Sequence, residues 1–305
     1  MTKISWTDET WNPVVGCTKV SAGCQNCYAE KMAYRLKMMG QSKYFSVVDT
    51  FRGEHLWTNK IYCDESALDK PLHWRKPRRI FVCSMGDLFH PAVPFEFVDK
   101  VMFAIYRSYK LGHTFQILTK RPERMLKYFS GDVDMRILNL FRTSNSEKYT
   151  SETRLTDSIG TLSRVWLGVS VENQKAADER IPILLQIPAA VRFVSVEPML
   201  EAINLLDLNG IMAMGGIYGA YLDWVIIGCE SGPKRRECKI EWVRDLTNQC
   251  KAANVPVFVK QLSLRGCRKC RFLPCTHLHG HKQINIVSHK PEEWPEDLQV
   301  QEWPC

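Results

Sequence analysis

No run of about 18 consecutive apolar residues occurs in the 305-residue chain, so no stretch reads as a transmembrane helix. The N-terminus, Met1-Thr2-Lys3-Ile4-Ser5-Trp6, lacks the apolar core of a secretory signal. No internal repeat is present. Acidic residues are the scarcer charge, 33 Asp and Glu against 41 Lys and Arg, for a net charge of +8. That excess points weakly to polyanionic partners such as nucleic acid, since many small-molecule enzymes are as basic. Basic runs at Arg75-Lys76-Pro77-Arg78-Arg79, Lys120-Arg121 and Lys234-Arg235-Arg236 sharpen it slightly, although each reads equally well as a solvated loop. An apolar share of 45% with 24% charged residues is ordinary for a soluble globular protein, and a cytoplasmic location is expected.

Cysteine, by contrast, is plentiful at twelve residues. In a reducing compartment such residues serve as metal ligands or catalytic thiols more often than as a disulfide framework. Their grouping agrees. Cys17, Cys24 and Cys27 crowd together, as do Cys267, Cys270 and Cys275, while Cys63, Cys83, Cys229, Cys238, Cys250 and Cys305 are scattered.

Short apolar, β-branched runs recur at Ile80–Ser84, Thr114–Thr119, Val165–Val171, Val191–Val196, Trp224–Gly228 and Val255–Val259. Several are apolar throughout, as parallel strands covered on both faces are. Amphipathic stretches lie among them at Phe95–Tyr109, Pro122–Phe129, Asn173–Gln186 and Ile240–Ala253. This alternation predicts an α/β fold with a parallel sheet or barrel. An earlier short strand is expected to end near Trp11–Val15, and a helix over Ala29–Met39 follows the first cysteine group. Residues 40–79 and 130–163 interrupt the rhythm as insertions, the second as an exposed excursion. The α/β pattern is expected to stop after Gln261, which divides the chain into residues 1–261 and a Cys/His-rich extension, 262–305.

Ligands of parallel α/β folds bind at the carboxyl ends of the strands. Polar groups follow essentially every predicted strand: Ser84-Met85-Gly86-Asp87, Thr119-Lys120-Arg121, Ser170-Val171-Glu172-Asn173, Glu197-Pro198, Glu230-Ser231-Gly232 and Lys260-Gln261. Ser, Asp and Asn at such places also cap helices. Capping does not call for Lys120, Glu172, Glu197, Glu230 and Lys260 on one rim, so a polar binding site is the stronger reading.

Cys17, Cys24 and Cys27 lie between a predicted strand and a predicted helix. Three thiolates in such a loop suit an iron–sulfur cubane and leave one iron open to another ligand. A structural zinc site calls for a fourth ligand, which His73 or Cys63 would have to supply by folding back. Gly16 and Gly23, each preceding a cysteine, suit a loop that bends tightly.

The stretch Asn12-Pro13-Val14-Val15-Gly16-Cys17…Ser21-Ala22-Gly23-Cys24-Gln25-Asn26-Cys27-Tyr28-Ala29 resembles the cluster loop of the radical S-adenosylmethionine superfamily. The likeness is to its phage- and prophage-borne branch, relatives of spore photoproduct lyase. Matching segments continue at Phe81–His90, Ile117–Pro122, Trp166–Asn173, Phe193–Pro198, Trp224–Gly232 and Glu293–Leu298. The resemblance implies a partial (β/α)6-type barrel and a [4Fe–4S] cluster held by Cys17, Cys24 and Cys27. It implies S-adenosylmethionine as cofactor, cleaved to a 5′-deoxyadenosyl radical, and an electron donor such as flavodoxin or ferredoxin. By position, Ser84, Met85, Gly86 and Asp87 would hold the methionine amino group. Ser170, Glu172 and Asn173 would hold ribose and carboxylate, Gly228 and Glu230 would line adenine, and Tyr28 would contact it; Glu197 belongs to the same rim. Two features depart from the superfamily: six residues rather than three separate the first two cysteines, and Cys83 and Cys229 stand near strand ends. There a thiol would donate a hydrogen atom to a product radical or ligate a second cluster, or else be a buried inert cysteine. Lys120 is a further catalytic candidate.

The segment from Cys267 to His281 is a second metal-binding pattern. Cys267, Cys270 and Cys275, with His277, His279 or His281 as fourth ligand and His281 preferred, suit tetrahedral zinc or an auxiliary iron–sulfur cluster. Arg265, Arg268, Lys269 and Arg271 make the segment a basic knuckle, suited to a phosphate backbone or to offsetting thiolate charge. The expected function is a radical enzyme acting on a nucleobase or nucleotide in DNA or RNA. The alternatives are a zinc-dependent nucleic-acid-binding or regulatory protein and a radical enzyme acting on a peptide or small metabolite.

Overall fold

The computed structural model describes residues 4–143, 163–208, 213–214, 221–267 and 283–304. The chain divides into two compact units. The first comprises Met1–Val20, Cys27–Val169 and Gln186–Arg192, and the second Ser21–Asn26, Ser170–Leu185 and Phe193–Cys305.

In the first unit the strands are β1 (Glu9–Trp11), β2 (Val14–Val15), β3 (Val48–Phe51), β4 (Glu54–Trp57), β5 (Tyr62–Cys63), β6 (Arg79–Val82), β7 (Thr114–Thr119) and β8 (Val165–Val171), the last continuing into the second unit at Ser170. β1, β6, β7 and β8 pair in that order, all parallel. Ile80, Val82, Ile117, Val165, Leu167 and Val169 are fully buried, as parallel strands covered on both faces demand. The helices are α1 (Tyr28–Met38), α2 (Phe95–Arg107), α3 (Pro122–Phe129) and α4 (Val133–Thr143). The short strand expected to end near Trp11–Val15 is β1, which stops at Trp11 where Asn12-Pro13 intervenes; Val14–Val15 form the separate β2, which pairs antiparallel with β5. A proline has no N–H for a ladder, which accounts for the break.

The interruption over residues 40–79 contains the antiparallel β3–β4 hairpin. It contributes Tyr44, Val47, Val48 and Trp57 to a small core with Val15, Ala29, Ala33 and Met85, against which Cys17 and Cys27 pack. In the second interruption α4 is described, and residues 144–162 lie outside the described residues.

The second unit contains β9 (Val191–Val196, entered from the first unit), β10 (Trp224–Gly228), β11 (Val257–Cys267) and β12 (Gln283–Ser288), with helices α5 (Gln174–Leu184) and α6 (Ile240–Ala252). β10 pairs parallel with β9 and β11, and β12 pairs antiparallel with the far half of β11. The strand expected over Val255–Val259 is longer than its apolar run, and an antiparallel pair rather than a further β–α unit follows Gln261. Leu262 and Leu264 are buried while Ser263 and Arg265 are more exposed, a period-2 alternation that carries the strand on to Cys267. The fold class is α/β with mostly parallel strands. Among the described residues no helix is long and apolar enough to cross a membrane.

Candidate functional site

In the first unit, the loop after β2 and the loop after β6 meet backbone to backbone. The Gly16 N–H donates to the Met85 carbonyl at 3.0 Å, and Gly16 bridges Gly86 in parallel. Gly16 has φ +94°, and a Cβ there would lie 2.4 Å from the Lys60 carbonyl oxygen. A Cβ on Gly86 would lie 2.8 Å from the Val14 carbonyl oxygen. Both glycines are therefore fixed by close backbone approach. Asn12 ties the same two loops: its Oδ1 accepts from Ser84 Oγ at 3.1 Å and from the Met85 N–H at 3.0 Å. The Tyr28 hydroxyl donates to the Ser84 carbonyl at 2.8 Å.

Cys17 follows Gly16, and Cys27 occupies the N-cap position of α1. Both cysteines are half-buried and neither is part of a disulfide. A helix N-terminus favours negative charge, which suits a thiolate at Cys27. Glu30, in the first turn of α1, is buried and accepts from the Trp57 N–H at 3.1 Å. Its other oxygen meets Lys19 Nζ at 3.0 Å, fastening the loop after Cys17 to the helix after Cys27.

Behind Cys17 stands a buried polar network. Asp87 accepts from the Phe89 N–H at 2.9 Å, from Thr119 Oγ1 at 2.8 Å and from Arg121 Nη1 at 2.7 Å. Arg121 Nη1 also donates to Cys17 Sγ at 3.8 Å, and Nη2 donates to the Thr18 carbonyl at 3.0 Å and to Thr18 Oγ1 at 2.8 Å. Burial pushes the Cys17 thiol up to about 12; the nearby Asp87 adds to the rise and Arg121 opposes it. Burial, with Arg121 beside it, lowers His90 to about 4. The imidazole is thus neutral, with Nδ1 accepting from the Ala92 N–H at 3.1 Å. That assigns the proton to Nε2, which donates to Thr18 Oγ1 at 2.9 Å.

The catalytic candidate at this strand end was Lys120, whereas the network is built by its neighbours Thr119 and Arg121 with Thr18, and Asn12 ties the loops beside it. The missing signal was alternation: residues two apart at a strand end share a face, so Thr119 and Arg121 meet Asp87 together. Lys120 contributes its N–H to Asp87 Oδ2 at 3.4 Å.

In the second unit, Ser21–Asn26 carries Cys24 in a 3-10 turn, with Ser21 Oγ 3.8 Å from Cys24 Sγ. Asn26 Nδ2 donates to Glu230 Oε2 and to the Lys234 carbonyl, both at 3.0 Å. Arg236 grips the same carboxylate through its N–H at 2.8 Å, through Nε at 3.1 Å and through a close Nη2 contact. Burial alone would raise the Glu230 carboxyl, but the Arg236 and Asn26 hydrogen bonds outweigh it and hold it below its ordinary value.

Glu172, after β8, is fully buried and pairs with Arg180 at 3.2 Å; the same Arg180 nitrogen donates to the Ser170 carbonyl at 2.7 Å. Asn173 caps α5, its Oδ1 accepting from the Ala176 N–H at 2.9 Å. Ser170 Oγ donates at 3.3 Å to the Glu197 carbonyl, which belongs to the cis Glu197–Pro198 peptide. The Glu197 carboxylate pairs closely with Lys260, and Gly228 faces it, with space for a Cβ at 3.4 Å from its Cδ and Cγ.

Cys83 and Cys229 are buried in their respective units, and burial pushes both thiols well above their ordinary range. Cys83 has φ +62°, the left-handed region that a non-glycine residue rarely adopts. Of the second cysteine group, only the backbone of Cys267 is described, at the end of β11; Cys270, Cys275 and His281 lie outside the described residues. Among the described residues, no three His, Cys, Asp or Glu side chains converge on a single metal ion.

The first unit thus gathers Cys17, Cys27, Tyr28, Cys83, Ser84–Asp87 and Lys120, and the second holds Cys24, Ser170, Glu172, Asn173, Glu197, Gly228, Cys229 and Glu230. No curated protein and no solved structure matches the chain. Residues 1–278 match the family described as "Protein of unknown function (DUF5131)", which takes in the first cysteine group and every strand-end residue above, and the chain belongs to that family.

Proposed function

We propose that this protein is a radical S-adenosylmethionine enzyme whose Cys17, Cys24 and Cys27 hold a [4Fe–4S] cluster, on a partial (β/α)6-type barrel. The carrying observation is the loop of Cys17: two glycines with no room for a side chain hold it against the loop after β6, and an arginine N–H is aimed at its sulfur. The donor set fits the group. Soft thiolates suit iron–sulfur clusters, each thiolate takes its own iron, and three leave one iron open. Bound there, the cluster and S-adenosylmethionine would supply a 5′-deoxyadenosyl radical able to abstract hydrogen from a substrate.

This chain's own residues would bind and orient. The N-terminus of α1 favours negative charge at Cys27. Tyr28 and Asn12 hold the Ser84–Met85 backbone, leaving the loop after β6 rigid beside Cys17. The cofactor's methionine, ribose and adenine are assigned to Ser84–Asp87, to Ser170, Glu172 and Asn173, and to Gly228 and Glu230. Cys83 and Cys229, both held as S–H, would be able to return a hydrogen atom to a product radical. Cys267, Cys270, Cys275 and His281 would take zinc or an auxiliary cluster. The substrate class is a nucleobase or nucleotide in DNA or RNA, supported by the net charge of +8, and the electron donor is a flavodoxin or ferredoxin in a cytoplasmic setting.

Anaerobic reconstitution of the full chain with iron and sulfide, then reduction with S-adenosylmethionine present, tests the reading. It predicts a brown protein that releases 5′-deoxyadenosine, a product lost in Cys24→Ala. A colourless zinc protein, or a fully loaded cluster giving no 5′-deoxyadenosine with nucleic acid present, would sink it.

A further inference from the structure

We infer that Arg121 is a positioning residue that sets the reduction potential of the cluster held by Cys17, with Asp87 acting on the same potential in the opposite direction. The inference rests on the cluster reading above and concerns only residues of the first unit.

Arginine is seldom buried, yet Arg121 is 8% exposed. Neutralising it would need Asp87 alone. Instead the planar fork reaches past Asp87: one nitrogen is shared between Asp87 Oδ2 and Cys17 Sγ, and the other closes on the Thr18 carbonyl and hydroxyl. Neither anchor is free to move. Asp87 is held by Thr119 and by the Phe89 N–H, and Thr18 receives a second hydrogen bond from the neutral His90. The guanidinium is therefore locked with an N–H on the sulfur of a proposed ligand.

Reduction adds an electron to a cluster that already carries thiolate charge. A positive group and an N–H donor at a ligand sulfur stabilise the reduced state and raise the potential, and a carboxylate behind them lowers it. Arg121 acts through its charge and its hydrogen bond to the sulfur, and Asp87 through its charge. Removing either group therefore shifts the potential in opposite senses. A role confined to packing gives no such opposition.

The test is a redox titration of the anaerobically reconstituted full chain, followed by electron paramagnetic resonance without S-adenosylmethionine. Iron and sulfide content are measured alongside. Arg121→Gln is expected to lower the reduced-to-oxidised ratio at fixed potential about tenfold, about 59 mV for a one-electron couple. Asp87→Asn is expected to raise it. Should Arg121→Gln fold but lose the cluster, Arg121→Lys keeps the charge without the fork, and a midpoint below the wild type supports the inference. Loaded variants with the wild-type midpoint, or both shifting the same way, overturn it and leave the radical reading standing. A wild-type chain that takes up no cluster removes both.

Discussion

Two kinds of residue decide the local geometry: glycines that admit the backbone, and charges that answer one another. Gly16 combines a left-handed φ with a Cβ position 2.4 Å from a backbone carbonyl oxygen, which no flexible side chain can relieve. Gly16→Ala should cost about 1–3 kcal/mol, read as a lower urea midpoint with an unchanged slope. An unaltered midpoint would mean that the two loops are not held as described. Glu230 makes the electrostatic case. Its folded pKa lies below the ordinary value of 4.5, so its contribution to stability is complete above that pH. It is lost as pH falls through the folded value. Glu230→Gln should therefore be less stable at neutral pH and show a shallower loss of stability between pH 5 and 3, about the window of the wild-type transition. Parallel acid limbs for the two proteins in chemical denaturation would rule this out.

The elements were mostly legible in the sequence, because buried parallel strands write themselves as apolar runs. Thr114–Thr119, Val165–Val171, Val191–Val196 and Trp224–Gly228 have the predicted bounds, and Pro122–Phe129 is α3 as expected. What was missed depends on partners remote in sequence. The four buried residues that residues 40–79 lend to the cysteine loop have no periodicity of their own, and Arg121 becomes informative only once Asp87 and Cys17 are beside it. Asn173, proposed by position as a cofactor contact, also caps a helix, a role that its residue type allows. The far half of β11 was hidden by the cysteines that follow it. Its register yields a prediction: Cys267 pairs with Gln283, so the strand ends flanking residues 268–282 already face each other. Replacing residues 268–282 by Asn-Gly, the preferred two-residue hairpin turn, should leave far-UV circular dichroism and thermal melting near wild type while abolishing the zinc or auxiliary cluster proposed for the second cysteine group. A variant that no longer folds would make that segment integral to the unit.

At the scale of the whole molecule, charge is the property that bears on the substrate, and it is less available than the sequence suggests. Arg78 pairs with Glu9 and Arg79 with Asp8, Arg121 is locked behind Cys17, and Arg236 is clasped to Glu230. The basic runs thus supply much of their charge to the protein itself. Arg75 and Lys76, between 3-10 helix Lys70–His73 and β6, remain exposed. If the chain acts on duplex DNA, binding must follow counterion release, with log K falling by about 0.9 per phosphate contact for each unit of log salt. Fluorescence titration of a labelled duplex across a salt series measures that slope. The double substitution Arg75→Ser with Lys76→Ser should make it shallower by about 1.8 if both side chains reach phosphates, weakening binding without regard to sequence. An unchanged slope would move the binding face elsewhere on the molecule. No binding of DNA or RNA even at the lowest salt would remove nucleic acid as the substrate class, while leaving the cysteine loop and its proposed cluster as they stand.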